Sequence, residues 1–149
     1  MNWNFFRGGC SKLLKVKCFG NFEVYSNGAP LIFKRTKTKE LLAFLIDRNG
    51  AGVTTKQICA KLWENNTDDL KNMNYLYQLI KDLTCALKGA GAEGVLVKKS
   101  HTYAIDPKKL DCDYYNYLEK GRPKFFGEYM SQYSWAESTC ALLLENRIE

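Results

Sequence analysis

The chain has 149 residues, 46% of them hydrophobic and 26% charged, which fits a folded protein of one ordinary domain and argues against wholesale disorder. No apolar run approaches the roughly 18 residues that a membrane span needs, and the opening MNWNFFRGGCSK lacks the continuous apolar stretch of a secretory signal. The net charge of +6 lies wholly in residues 1–40, with eight Lys/Arg against two Glu, while the remainder holds fourteen of each sign; this balance suits a polyanionic partner and is also common without one.

Residues 1–12 read as a tail. Over 13–19, Leu14, Val16 and Cys18 alternate with Lys15 and Lys17, which predicts a half-buried strand. A second strand is expected at 22–25. Asn27-Gly28 is a hairpin signal because both residues tolerate positive φ, and 31–33 is the expected returning strand. These strands make a small antiparallel sheet.

A helix follows over 37–48, apolar on most of its surface through Leu41, Leu42, Phe44, Leu45 and Ile46, and Asn49-Gly50 ends it. Thr54-x-x-Gln57 is a capping box opening a second helix to Trp63, with Ile58, Cys59, Leu62 and Trp63 on one stripe. Asn65-Asn66-Thr67 breaks it. The third helix, 68–87, starts at Asp68-Asp69, whose carboxylates favour the positive end of its dipole. Met73, Leu76, Ile80, Leu83 and Leu87 form its expected core stripe; Lys71, Asn74, Gln78, Lys81 and Cys85 fall on the opposite side. A hairpin of 95–97 and 102–105 carries Lys98, Lys99, Ser100 and His101 at its tip.

Pro107 marks a boundary. Asp111 is the expected cap of a short helix over 112–120 that Gly121 and Pro123 stop, and Ser134-x-x-Glu137 reads as a second capping box opening a final helix. The expected organisation is therefore a tail at 1–12, a domain at 13–106 and a helical appendage at 107–149. Its fold class is α+β, a winged helix-turn-helix with an N-terminal antiparallel sheet, a three-helix core, a C-terminal β-hairpin wing and a short helical tail.

In such a fold the third helix lies in the major groove. Asn74 and Gln78, one turn apart, have the side chains that pair bidentately with adenine. Lys71 and Lys81, with Arg35 and Lys37 ahead of the first helix, are candidates for phosphates, and Lys98, Lys99 and His101 at the wing tip for the adjacent backbone or minor groove. The same residues also compose an ordinary solvated helix face. Residues 68–88 carry three acids and three lysines, so this helix must borrow its cations from elsewhere, and weak, salt-dependent binding is expected.

Six scattered cysteines without a C-x-x-C, and a single histidine, His101, read as reduced thiols with no metal site. No Walker loop, G-x-G-x-x-G or H-E-x-x-H occurs, so neither enzyme activity nor a cofactor is expected. The aromatic-rich end (Tyr114, Tyr115, Tyr117, Phe125, Phe126, Tyr129, Tyr133, Trp135) has few cations among it. It reads as packing the appendage onto the core or a partner rather than as a platform for stacking bases.

Several spaced motifs agree with one family. Phe19-Gly20-Asn21-Phe22-Glu23-Val24, Asn27-Gly28, Phe33-Lys34-Arg35 and Lys39-Glu40-Leu41-Leu42-Ala43 resemble the N-terminal sheet and first helix of OmpR/PhoB-type winged-helix domains. The resemblance is closest to the variety found in bacterial activators of the antibiotic-regulatory-protein class. Val53-Thr54-Thr55 and Leu62-Trp63 are similar to that group's second helix. Gly127-Glu128-Tyr129 with residues 133–137 is similar to the start of the bacterial transcriptional activation domain, a tail also seen in clostridial-type response regulators. The resemblance covers about residues 13–137 and implies a four-stranded N-terminal sheet, three helices and a C-terminal wing.

Two departures stand out. Thr84-Cys85-Ala86 follows Leu83 where the family carries an arginine-rich stretch. About a dozen residues precede the first strand, whereas a phospho-receiver needs on the order of a hundred, so no phospho-acceptor is assigned. The implied function is a bacterial, cytoplasmic, two-component-type transcription regulator that binds double-stranded DNA, with RNA polymerase, a receiver protein in trans or a second copy as further partners and no membrane. The alternative is a winged-helix interaction module that has lost DNA binding and docks a protein through its aromatic tail.

Overall fold

A computed structural model describes residues 13–65 and 68–147; the expected tail at 1–12 and the Asn66-Thr67 part of the expected helix break lie outside them. Alternation does what it should in β1 (Leu14–Lys17): Leu14 and Val16 are buried while Lys15 and Lys17 face out. β2 (Glu23–Ser26) pairs antiparallel with β1, Val16 opposite Val24. Asn27 (φ 53) and Gly28 (φ 81) make the tight turn expected of them, both in the left-handed region that this type of hairpin demands.

The returning strand is not at 31–33. That turn places Ala29 opposite Ser26 and Pro30 opposite Tyr25, so β3 is Ala29–Pro30 alone. Leu31 N–H still reaches the Val24 carbonyl at 2.8 Å, but the chain then turns towards the first helix and leaves Ile32 85% exposed.

α1 (Thr36–Asp47) runs through the centre. Every residue from Leu41 to Ile46 is buried, because other elements cover the helix on most sides. Asn49 (φ 49) and Gly50 (φ 89) end it. Gly52 then lets the chain pass beside Thr102, whose Oγ1 a Cβ at that position would meet at 3.0 Å. β4 (Val53–Thr54) leads into α2 (Thr55–Leu62), which opens on the expected capping box: Gln57 N–H donates to Thr54 Oγ1 (3.1 Å), and Thr54 N–H to Gln57 Oε1 (2.9 Å).

α3 (Asp69–Gly89) is capped by the Asp68 carboxylate, which accepts from Lys71 N–H at 3.2 Å. Its buried stripe is Asn72, Leu76, Leu79, Leu83 and Leu87. It is therefore rotated from the expected one, with Met73 and Ile80 half-buried on its flank. A strip of 3-4 spacing has two neighbours about 40–60° away on a helix, and packing against α1 and α2 selects among them.

β5 (Leu96–Lys99) and β6 (Thr102–Ile105) form the wing hairpin, with Lys98 and Lys99 inside the strand and only Ser100 and His101 at the turn. The wing is a three-stranded sheet of order β4-β6-β5, because Val53 and Thr54 pair with Tyr103 and Thr102.

The chain does not leave the core at Pro107. β7 (Leu110–Cys112) lies parallel to β1, Val16 opposite Cys112, and completes a four-stranded sheet of order β3-β2-β1-β7. The N-terminal sheet is thus mixed rather than antiparallel, and its fourth strand comes from beyond the wing. α4 (Asp113–Lys120) follows with Cys112, not Asp111, as its N-cap. Asp111 belongs to the strand, and the Asp113 carboxylate takes the N–H groups of Cys18 (2.7 Å), Phe19 (3.1 Å) and Tyr114 (2.7 Å).

Residues 128–132 then run beside 18–22. Gly20 N–H donates to the Glu128 carbonyl (2.8 Å), Met130 N–H to that of Cys18 (2.7 Å), and Gln132 brackets the Phe22 backbone. Ser134 makes no capping box. Ser134–Ala136 is a 3-10 turn, and Ala136 precedes α5 (Glu137–Glu145) without a side-chain cap.

The aromatics explain this closure. Tyr114, Tyr117, Phe125, Tyr129 and Trp135 are buried in the same core as α1 and β1. Trp135 stacks on Tyr133 at 5.2 Å, meets Phe44 edge-on and donates Nε1–H to Glu40 at 2.8 Å; Tyr129 donates its hydroxyl to Asp47 and Tyr115 to the Ile46 carbonyl, each at 2.6 Å. Burial pushes the Tyr114 hydroxyl up to about 12, and those of Tyr115, Tyr129 and Tyr133 higher still. These rings pack onto the core, Trp135 included, and among the described tail aromatics Phe126, 79% exposed, is the one left in the open. The molecule is a mixed α+β fold with five α-helices and two sheets among the described residues, its helix–helix–helix–hairpin order that of a winged helix.

Candidate nucleic-acid interface

α3 sets the geometry of the candidate site. With Leu76, Leu79, Leu83 and Leu87 turned inward, steps of 100° bring Leu70, Lys71, Asn74, Tyr77, Lys81, Cys85 and Lys88 to the outer half of the helix, and all seven are exposed. Lys71 and Lys81 are ten residues apart, about 15 Å along the axis, with Asn74 between them. Tyr77, 52% exposed, occupies the same row three residues from Asn74 and four before Lys81. Its position follows from the helix period, but an aromatic among apolar neighbours reads as core in a linear scan. Leu70, 74% exposed, was hidden for the same reason.

Gln78 is placed differently from Asn74. It is half-buried, and its Nε2 donates to Asp82 Oδ1 at 3.2 Å. The other oxygen of Asp82 pairs with the guanidinium of Arg35, the residue that precedes α1. Burial alone would raise the Asp82 carboxyl, but the Gln78 hydrogen bond, the Arg35 guanidinium and the nearby Lys34 outweigh it and hold the group below the usual carboxylate range. This pairing spans 47 residues of sequence and has no local signature. It also alters the charge balance of α3, since one of its three acids is turned inward and neutralised from another element.

Lys37 is engaged too. Its Nζ donates to the Leu62 carbonyl at the end of α2 (2.6 Å) and to Glu40 (2.9 Å), and lies 5.7 Å from the centre of the Trp63 ring. It satisfies the C-terminus of α2 and joins α1 to it. Of the two cations expected ahead of α1, one therefore serves α3 and the other α2.

The wing meets the second half of α3. Ile80, Thr84 and Leu87 of the helix, with Leu96, Lys98 and Tyr103 of the wing, line a shallow cleft of about 210 Å³. Lys98 Nζ sits 5.7 Å from the centre of the Tyr103 ring, and Lys99 and His101 are exposed beyond it. Thr84, where arginine was expected from the family resemblance, returns its hydroxyl to the Ile80 carbonyl at 2.8 Å. The structure thus gathers Lys71, Asn74, Lys81, Lys98, Lys99 and His101 as exposed side chains on α3 and the wing that packs on it. Gln78, Arg35 and Lys37 are held by intramolecular partners.

Two cysteines far apart in sequence also meet. Cys18 and Cys112 have their sulfurs 3.6 Å apart, both fully buried, with Asp113 beside them. Burial pushes the Cys18 thiol well up, and the Asp113 carboxylate is already taken by three backbone N–H groups, so the set is poorly suited to hold a cation. No helix among the described residues is long and apolar enough to cross a membrane.

No protein-family model and no curated protein matches the chain. Among solved structures, EmbR of Mycobacterium tuberculosis, determined in complex with a low-affinity phosphopeptide, is similar with a TM-score of 0.71 at 17% identity, over 92% of this chain and 43% of EmbR's. The chain therefore spans less than half of that protein's length, and at this identity the likeness concerns the fold.

Proposed function

We propose that this chain is the DNA-binding part of a transcription regulator rather than an enzyme, working in the cytoplasm without a cofactor. α3 enters the major groove with Asn74 as its base-reading residue and Gln78 one turn on. Lys71 and Lys81 take phosphates on either side, and Lys98, Lys99 and His101 reach the adjacent backbone or minor groove. The observation that carries this reading is the outer face of α3, where Lys71, Asn74, Tyr77 and Lys81 are exposed in one row beside a lysine-bearing wing. The likeness of fold to EmbR supports it. RNA polymerase, a receiver protein in trans and a second copy of the chain remain the proposed further partners.

The direct test is a mobility shift on genomic fragments at low and moderate salt, followed by selection of bound duplexes from a random pool. Retarded fragments that yield a shared sequence support the reading. No retardation even at low salt contradicts it and favours an interaction module without DNA binding, a reading favoured by one observation: Arg35 and Gln78 are both occupied within the protein.

A further inference from the structure

The cluster around Asp82 bears on how that face would hold DNA. The Asp82 side chain is 7% exposed, and its two oxygens serve different partners: Oδ1 accepts from Gln78, and Oδ2 pairs with Arg35. Arg35, one-third exposed, lies at the start of α1, where it makes no cap of its own. One carboxylate thus occupies both an amide and a cation that an α3-centred interface would otherwise offer to a duplex.

We propose that Asp82 is an internal rival of DNA phosphate: it masks Arg35 and Gln78, and so sets the upper limit of the protein's grip on a duplex. The inference rests on the DNA-binding reading above. Its physics is that of counterion release. A cation raises affinity to the extent that it neutralises phosphate, and an arginine already neutralised by a carboxylate contributes little. Moving Arg35 to a phosphate would break a charge-assisted pair and leave a nearly buried carboxylate with only the Gln78 amide, a costly exchange. Arg35 therefore stays with Asp82, and the wild-type interface works with its lysines. An asparagine in place of Asp82 keeps the shape and an acceptor for Gln78 but releases the guanidinium.

The experiment is a double-mutant cycle on the full chain, using a fluorescein-labelled random-sequence duplex and anisotropy at several KCl concentrations. Asp82→Asn is expected to bind about tenfold more tightly near 0.1 M salt and to steepen the slope of log Kobs against log salt by about 1, the value for one added phosphate contact. Arg35→Ala alone leaves the Asp82 carboxylate unneutralised and is expected to weaken binding, and combined with Asp82→Asn it is expected to return binding to the wild-type level, with no gain. A gain that persists without Arg35 overturns the masking, since it would be general charge; so does binding by the wild type with no gain in Asp82→Asn. No binding by either protein at low salt overturns the DNA-binding reading itself and the masking with it. Should Asp82→Asn fail to fold, the wild type answers alone through its Arg35 Nε–H resonance. With Arg35 held by Asp82 that signal stays in place on adding duplex, whereas a large shift, showing that Arg35 moves readily to phosphate, overturns the proposal.

Discussion

Asp82 is the residue on which the most distant parts of the candidate interface depend. Its carboxyl is held below its ordinary range, so the stability it contributes has a definite pH window. The folded state favours the charged form, hence the contribution is fully present above the unfolded value of about 4 and is lost as pH falls through the lower folded value. Urea unfolding midpoints measured from neutral to acid pH are expected to fall more steeply for the wild type than for Asp82→Asn over that window. Parallel curves would contradict the pairing with Arg35 and Gln78. None of this is visible in the sequence, where Asp82 is one acid among three on a helix of zero net charge. By contrast Asn74, Lys71 and Lys81 were legible as an exposed set because the helix period puts them opposite either the expected or the observed buried stripe, whereas Gln78, nearer its edge, was not.

At the scale of elements, local chemistry was the most readable part. The capping box of α2 is present with both of its bonds, and Asn27-Gly28 makes its turn, because each depends on residues at most three apart. Thr54→Ala is expected to cost about 1 kcal/mol of stability, read from the denaturant midpoint, with Thr54→Ser close to the wild type. Ser134-x-x-Glu137 has the same local pattern but makes no capping box. There the chain is still winding a 3-10 turn that buries Trp135 and Ala136, and tertiary packing decides where the helix begins. Nor do local residues define β3, whose length is set by where the chain must leave for α1, or β7, whose partner lies about a hundred residues earlier. A three-residue strand such as Leu110–Cys112 has too little alternation to announce itself, and parallel pairing leaves no hairpin signal.

At the scale of the molecule, the residues beyond the wing are part of the fold. β7 completes the first sheet, and Tyr114, Tyr117, Phe125, Tyr129 and Trp135 share one core with β1 and α1. A chain cut after residue 106 exposes that side of α1 and the edge of β1, and is expected to lack a cooperative thermal transition by circular dichroism. A sharp transition near that of the full chain would show that residues 13–106 fold alone. Trp135→Ala in the full chain is expected to cost about 3–5 kcal/mol, the range for truncating a buried aromatic, with the loss read as a lower denaturant midpoint. The order of the three core helices and the wing hairpin was legible because hydrophobic periods and turn or cap residues mark them. Which strand closes the sheet was not, because it depends on contacts between residues about a hundred positions apart.

The proposed grip is a short row of exposed side chains on α3 beside the wing. It is tested most directly by titrating the labelled protein with a low-salt duplex in an NMR experiment that follows backbone amides. The account predicts shifts concentrated at Lys71, Asn74, Tyr77, Lys81, Lys98 and Lys99, fading as salt is raised, with α5 unmoved. Shifts confined to α5 and Phe126, or none at all on adding duplex, would contradict it.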